Sequence, residues 1–164
     1  MTEIRTGNGI DIHRFTESSE DDQAIILGGV KIPHSRGLKA HSDGDVLTHA
    51  LMDAILGALA LGDIGSHFPD KDAKYKNVSS LVLLESVMNM VVNKGWGLGN
   101  ADITVVAQAP KLSPHVKLIR ESLFPILKVG VDQVSVKATT SEGLGFTGRK
   151  EGIAVFTTVL LIRA

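Results

Sequence analysis

Apolar residues recur with a helical period between Val46 and Leu59. Val46, Leu47, Ala50, Leu51, Ala54, Ile55, Ala58 and Leu59 form one stripe, which predicts a helix over about 44–61. A second helix is expected over 79–94, stopped by Gly95, with apolar positions so dense that most of its circumference needs cover. A third, over 115–128, contains Pro125 and should be kinked or broken there. Strands are predicted over 4–15, where Gly7 and Gly9 allow close backbone approach, and over 100–109. Two short strands, 24–27 and 30–33, flank Gly28-Gly29, a two-residue hairpin signal. The chain closes with strands over 133–139 and 152–162, separated by a glycine-rich loop. The last strand is apolar on both alternating faces, with Ile153, Val155, Val159 and Leu161 on one and Ala154, Phe156, Leu160 and Ile162 on the other. Such a strand needs cover on both sides. Three helices can cover one face, so the other is expected to meet neighbouring subunits; a central strand in a fully covered monomer is the plainer alternative. The fold class that follows is α/β, an α+β sandwich: a mixed β-sheet with helices on one face.

Composition narrows this little but excludes much. At 164 residues without a low-complexity linker or internal repeat, one domain over 1–164 suffices. A formal charge of -1 with no basic cluster argues against a nucleic-acid surface. No apolar run reaches the roughly 20 residues that span a bilayer, and no basic, apolar leader precedes the first strand, so no membrane partner and a cytoplasmic location are expected. There are no cysteines, so any transition metal must be held by His, Asp or Glu.

Candidate ligands cluster early. Residues two apart on a strand share a face, so Asp11 and His13 can present a carboxylate oxygen and an imidazole nitrogen to one point. Residues four apart on a helix share a face, which lines up Asp45, His49 and Asp53. His49 would complete an Asp-His-His set, which suits zinc with its fourth position open. Asp45 or Asp53 could then hold the distal imidazole N–H. Ser42 to Asp45 also reads simply as a helix-capping sequence, and the acidic stretch 16–23 as a solvated excursion. The loop KATTSEGLGFTGR, 137–149, joins hydroxyls, glycines, Glu142 and Arg149 at the end of a strand. Hydroxyls and exposed N–H groups cradle phosphate oxygens, and a lone carboxylate among them suits magnesium; a long hairpin turn is the plainer alternative.

Taken in order, GIDIHRF, AHSDGDVLTHAL, ALGDIGSHFPD, ITVVAQAPKLSPH and KATTSEGLGFTGR make the chain resemble the 2-C-methyl-D-erythritol 2,4-cyclodiphosphate synthases from about Ile4 to the C-terminus. The resemblance implies a homotrimer with a site at each subunit interface. It implies zinc, or another divalent transition metal, on Asp11, His13 and His49, and Mg2+ (or Mn2+) on Glu142. Asp11, Ile12 and His13 adjoin the substrate; His41 and Ser42 match residues beside its phosphates, with His41 and Thr140 the implied catalytic residues. Asp63, Ile64 and Gly65 match residues that hold the methylerythritol hydroxyls, and Phe68, Pro69, Asp70, Lys71 and Asp72 the adjoining loop. Ala107, Gln108, Ala109, Pro110, Lys111, Leu112 and Ser113 match the backbone pocket for cytosine. Thr139, Thr140, Ser141 and Glu142 match the nucleotide-phosphate segment, and Phe146 and Arg149 positions near the substrate and the trimer axis. The implied reaction converts 4-diphosphocytidyl-2-C-methyl-D-erythritol 2-phosphate to the 2,4-cyclodiphosphate with release of CMP. Two positions depart from the family's pattern: Asn8 stands where a histidine is frequent and Gly143 where a lysine is common. The competing readings are a zinc-dependent phosphohydrolase and a trimeric binding module that uses zinc only for rigidity.

Overall fold

The computed structural model describes residues 1–17, 24–40, 42–69, 72–75 and 78–163. Most of the acidic stretch, 18–23, lies outside them. Four strands form one mixed sheet in the order β1-β6-β4-β5: β1 (Glu3–Arg14), β4 (Gly97–Val106), β5 (Val134–Thr139) and β6 (Gly152–Arg163). Only β4 and β5 run parallel. The last two strands are therefore not a hairpin, because β4 lies between them; the glycine-rich loop must cross it, and it contains a one-turn helix. The predicted two-residue hairpin does form, from β2 (Ala24–Leu27) and β3 (Val30–Pro33), with Gly28 and Gly29 both at positive φ as such a turn requires.

Three long helices, α1 (Val46–Ala58), α3 (Ser80–Asn93) and α4 (Val116–Leu127), cover the inner face, with short helices α2 (Ile64–His67) and α5 (Gly145–Gly148) in loops. The opposite face carries Ile4, Ile10, Ile12, Phe156 and Ile162, all at least 40% exposed. Across the β1–β6 pairing they fall in two groups, Ile4 opposite Ile162 and Ile10 opposite Phe156 with Ile12 alongside, and the hydrogen-bonded pair Asn8 and Thr158 lies between them. Apolar side chains exposed in such groups are a feature of association surfaces.

Two expectations about the helices fail for identifiable reasons. Helix α3 buries Leu83, Leu84, Val87, Met88 and Val91, an i, i+3, i+4 stripe, but Val82 and Val92 stay half-exposed, so apolar density overstated its cover. Helix α4 continues through Pro125. The proline lies in the last turn, where only one helical hydrogen bond is lost before Lys128 turns left-handed at φ 58° and ends the helix.

The feature that positions the site is the contact of α1 with β1. Gly7 and Gly9 lie directly beneath the helix: a Cβ on Gly9 would overlap the Ala50 carbonyl oxygen and sit 2.7 Å from Ala54 N, and one on Gly7 would lie 2.7 Å from Ala58 N. Glycines below and alanines above let backbone meet backbone, which sets the height of α1 over the strand.

Asp45 fixes where α1 begins. It is fully buried and caps the helix, accepting from Thr48 N at 3.0 Å and Thr48 Oγ1 at 2.8 Å. It also accepts from the hairpin amides Gly28 N, at 2.9 Å, and Gly29 N, at 2.7 Å. Burial raises its pKa, and the four donors act in the opposite direction. An amide cannot accept all four, so Asp45→Asn is expected to lower stability by about 1–3 kcal/mol through an unsatisfied buried donor, read from the urea midpoint. An unchanged midpoint would show that the hairpin amides do not depend on this carboxylate.

Candidate active site

Strand β1 and helix α1 bring three side chains to one point. Asp11 and His13 project from the same face of β1, two and four residues beyond Gly9, and His49 descends from α1 beside Ala50, the residue that rests on Gly9. Asp11 Oδ2 lies 3.0 Å from His13 Nε2 and 3.2 Å from His49 Nδ1, and the two nitrogens are 3.4 Å apart. A tetrahedral zinc with bonds of about 2.0–2.1 Å spaces its ligand atoms about 3.3 Å apart. The triangle fits that requirement. Burial opposes charge on Asp11, but hydrogen bonds with His13 and His49 outweigh it and hold the carboxyl below the usual range. Burial likewise lowers His49, and Asp11 reverses this, leaving it raised. Each group stabilises the charged form of the other.

The three groups open into a cavity of about 300 Å³, whose wall also includes Lys39, Ser42, Ile64, Gly65 and Phe68. The predicted residues Ser42, Ile64, Gly65 and Phe68 are thus brought to the Asp-His-His group. Asp63 is not: its carboxylate caps α2, accepting from Ser66 N at 2.9 Å and Ser66 Oγ at 2.8 Å. Ile12 points to the outer sheet face, 52% exposed, because neighbours on a strand face opposite ways. Pro69 and Asp72 are outside this wall. His41, Asp70 and Lys71 lie outside the described residues.

A second cavity, of about 310 Å³, is lined by Ala107, Gln108, Pro110, Lys111, Leu112, Ser113, Thr139 and Thr140. Ala109 joins this turn without contributing to its wall, and Ser141 turns inward, accepting from Thr147 Oγ1 at 2.7 Å. Glu142 is exposed and accepts from Thr140 Oγ1 at 2.7 Å. Arg149 pairs with Glu151, Nε to Oε1 at 2.8 Å, and Phe146 is 36% exposed.

The two cavities share no wall residue. Asp11 pairs with Val155, Val155 with Val105, and Val105 with Ala138, so the two cavities occupy opposite edges of a four-stranded sheet. Three strand spacings separate them by about 14 Å.

The profile of the YgbB family matches residues 4–162. The chain belongs to the YgbB family. Among YgbB relatives, the 2-C-methyl-D-erythritol 2,4-cyclodiphosphate synthase of Pseudomonas entomophila is 58% identical over 161 residues, 98% of this chain and all of that one. The Plasmodium falciparum IspF structure, a CDP complex, shares 39% identity at a TM-score of 0.84, covering 98% of this chain and 96% of that one. The bifunctional IspDF of Campylobacter jejuni matches at 48% identity and a TM-score of 0.93; all of this chain aligns with 43% of that larger protein. The resemblance read from five motifs is thereby supported over the whole YgbB domain.

Sequence reasoning assigned the groups around His49 wrongly. Neither Asp45 nor Asp53 holds its distal nitrogen: Asp45 is spent on the hairpin and the helix cap, and Asp53 accepts from Ile64 N at 2.8 Å. The groups at His49 Nε2 are Ser80 Oγ, at 2.9 Å, and Ser42 Oγ, at 3.3 Å. Ser80 opens α3, 31 residues away, and no local pattern marks it.

Proposed function

We propose that this chain is a 2-C-methyl-D-erythritol 2,4-cyclodiphosphate synthase, converting 4-diphosphocytidyl-2-C-methyl-D-erythritol 2-phosphate to the cyclic 2,4-diphosphate and CMP. The observation that carries this reading is the Asp11-His13-His49 triangle within a chain aligned end to end with synthases of that name. In the reaction a 2-phosphate oxygen bonds to the β phosphorus of the diphosphate, the bond from that phosphorus to the bridging oxygen breaks, and CMP departs with the electron pair. The nucleophile is already an anion of the substrate. No protein nucleophile or strong base is required, and the chain's task is to fold the substrate back on itself and to accommodate charge at the reacting phosphorus.

Asp11, His13 and His49 would hold the transition metal, zinc being the expected ion, and Glu142 the magnesium; bound there, the cations would supply Lewis-acid stabilisation of phosphoryl oxygens. One carboxylate with two neutral imidazoles leaves the first cation a net positive charge. Ile64, Gly65 and Phe68 would enclose the methylerythritol carbons, with Asp63, Pro69, Asp70, Lys71 and Asp72 around them. The turn 107–113 would receive cytosine through its backbone groups, and Thr139 to Glu142 the nucleotide phosphates. His41 and Thr140 would donate to the transition state. Separation of the two half-sites across the sheet, together with the bare apolar face of β1 and β6, supports a homotrimer in which one subunit's metal half meets its neighbour's nucleotide half. Phe146 and Arg149 would lie near that junction. No described helix is long and apolar enough to cross a membrane, and the cytoplasm is the proposed compartment.

Phosphorus NMR of metal-loaded protein incubated with the cytidine diphosphate substrate tests the reading. CMP and a cyclic diphosphate lacking solvent oxygen are expected; inorganic phosphate or a linear monophosphate would instead establish a hydrolase, and no turnover a binding module. Glu142→Gln is expected to weaken magnesium-dependent CDP binding by about tenfold, the cost of one charge-assisted contact of about 1.4 kcal/mol, with zinc content unchanged. Equal CDP affinity of variant and parent in a titration would remove Glu142 from the magnesium site.

A further inference from the structure

We propose that Ser80 and Asp43 are positioning residues that fix the tautomer of His49, placing its proton on Nε2 so that Nδ1 presents a lone pair to the Asp11–His13 pair. The proposal rests on reading these three side chains as a metal set. It concerns two residues that this set does not include.

The argument is a count of hydrogens. Asp43, as a carboxylate, has only acceptors to offer. Its Oδ2 accepts from Ser80 N at 2.8 Å, and its Oδ1 accepts from Ser80 Oγ at 2.5 Å and from Asp45 N at 3.3 Å. The 2.5 Å separation is that of a hydroxyl donating to an anionic oxygen. Ser80 has one hydroxyl hydrogen, and Asp43 takes it. Toward His49 Nε2, 2.9 Å away, Ser80 Oγ therefore offers only a lone pair. A bare Nε2 would set two lone pairs against each other in a fully buried place. The contact is favourable only if Nε2 carries the hydrogen. Ser42 Oγ, at 3.3 Å from the same nitrogen, is a longer second acceptor.

The consequence lies on the other side of the ring. With its hydrogen on Nε2, a neutral His49 turns an unprotonated Nδ1 toward Asp11 Oδ2, at 3.2 Å, and His13 Nε2, at 3.4 Å. The opposite tautomer would block that position with a hydrogen. Asp43 also pulls on the Nε2 hydrogen through the serine, which makes Nδ1 more basic toward a cation. The relay is assembled from the loop before α1 and the first residue of α3. Packing of α3 against α1 is therefore what completes it.

Asparagine at position 43 makes the idea decisive. Ser80 N is a fixed donor, so the single amide oxygen must face it, and the amide NH2 then points at Ser80 Oγ. That reverses the serine, whose hydrogen turns to His49 Nε2. The test uses the full-length chain with zinc as the probe, its affinity measured by chelator competition. Nitrogen-15 spectra of the His49 ring are recorded before zinc addition, at a pH where imidazoles are neutral. The parent should show the Nε2–H form, and Asp43→Asn the Nδ1–H form. Ser80→Ala and Asp43→Asn should each lose about 10–100-fold in zinc affinity, while Ser80→Thr, which keeps the hydroxyl, restores most of it. A parent ring protonated on Nδ1, a ring unchanged in Asp43→Asn, or parental zinc affinity in Ser80→Ala would each overturn the relay. A parent that takes up no zinc would instead overturn the metal reading, and its ring spectrum would still decide the tautomer. If a variant does not fold, the parent spectrum and Ser80→Thr carry the test.

Discussion

His49→Ala is expected to abolish zinc uptake and to reduce turnover by about a thousandfold or more, since a cation's stabilisation of transferring phosphoryl charge is worth several kcal/mol and each 1.4 kcal/mol is about a factor of ten. The fold should survive. His49 is one of few polar side chains within α1, and its removal takes away contacts to Ser80 and Asp11 but none that joins strand to strand. The loss should be near the usual 1 kcal/mol for a point substitution, with the circular dichroism spectrum unchanged. Zinc content by emission spectroscopy and release of CMP are the two readings required. Turnover retained in a zinc-free variant would separate the three ligands from the chemistry and leave the cavity a binding site only.

Gly9→Ala should have the largest effect on stability and should reach the site without touching it. The added methyl group meets the Ala50 carbonyl and Ala54 N, both backbone atoms of α1, so no side-chain rotation can relieve the overlap. Helix α1 must move off the strand. The expected cost is about 3 kcal/mol or more, at the severe end for overpacking. Because His49 is the residue before Ala50, the same displacement widens the ligand triangle, and zinc affinity should fall at least about tenfold. Gly57→Ala serves as the control: its Cβ would approach nothing closer than Asn8 O at 3.9 Å, and in the helix interior it should add up to about 1 kcal/mol. Urea unfolding of both variants, with zinc titration of the folded fraction, checks the pair. A Gly9→Ala protein as stable as its parent would show that the strand and helix are not in the close contact described.

The Asp11-His13-His49 cluster was legible because its members belong to short-range patterns. Asp11 and His13 are two apart on a strand, and His49 follows the start signal of an amphipathic helix. The motif order then tied both to one family. The second layer was not legible. Asp45 has the right spacing to serve His49 and the right residue type, yet its two oxygens are taken by the hairpin amides Gly28 N and Gly29 N and by Thr48. Ser80 has no distinguishing spacing and reaches His49 only because α3 packs on α1.

Similar reasons divide the fold. Periodicity determined the existence and type of each long element, because the period of apolar residues reports which side of a helix or strand is covered. It also identified the two-faced terminal strand and the glycine hairpin. Strand order, the placing of β4 between β5 and β6, and the distance of α1 from β1 were decided only in three dimensions. These depend on contacts between residues far apart in the chain, and no local pattern records which partner a covered face will meet. The sequence by itself determined that a carboxylate and two imidazoles were available to one cation. Tertiary packing decided which groups lie around them, and it set the two cavities on opposite edges of one sheet, because strand order places β1 at one edge and β5, which follows it by more than a hundred residues, at the other.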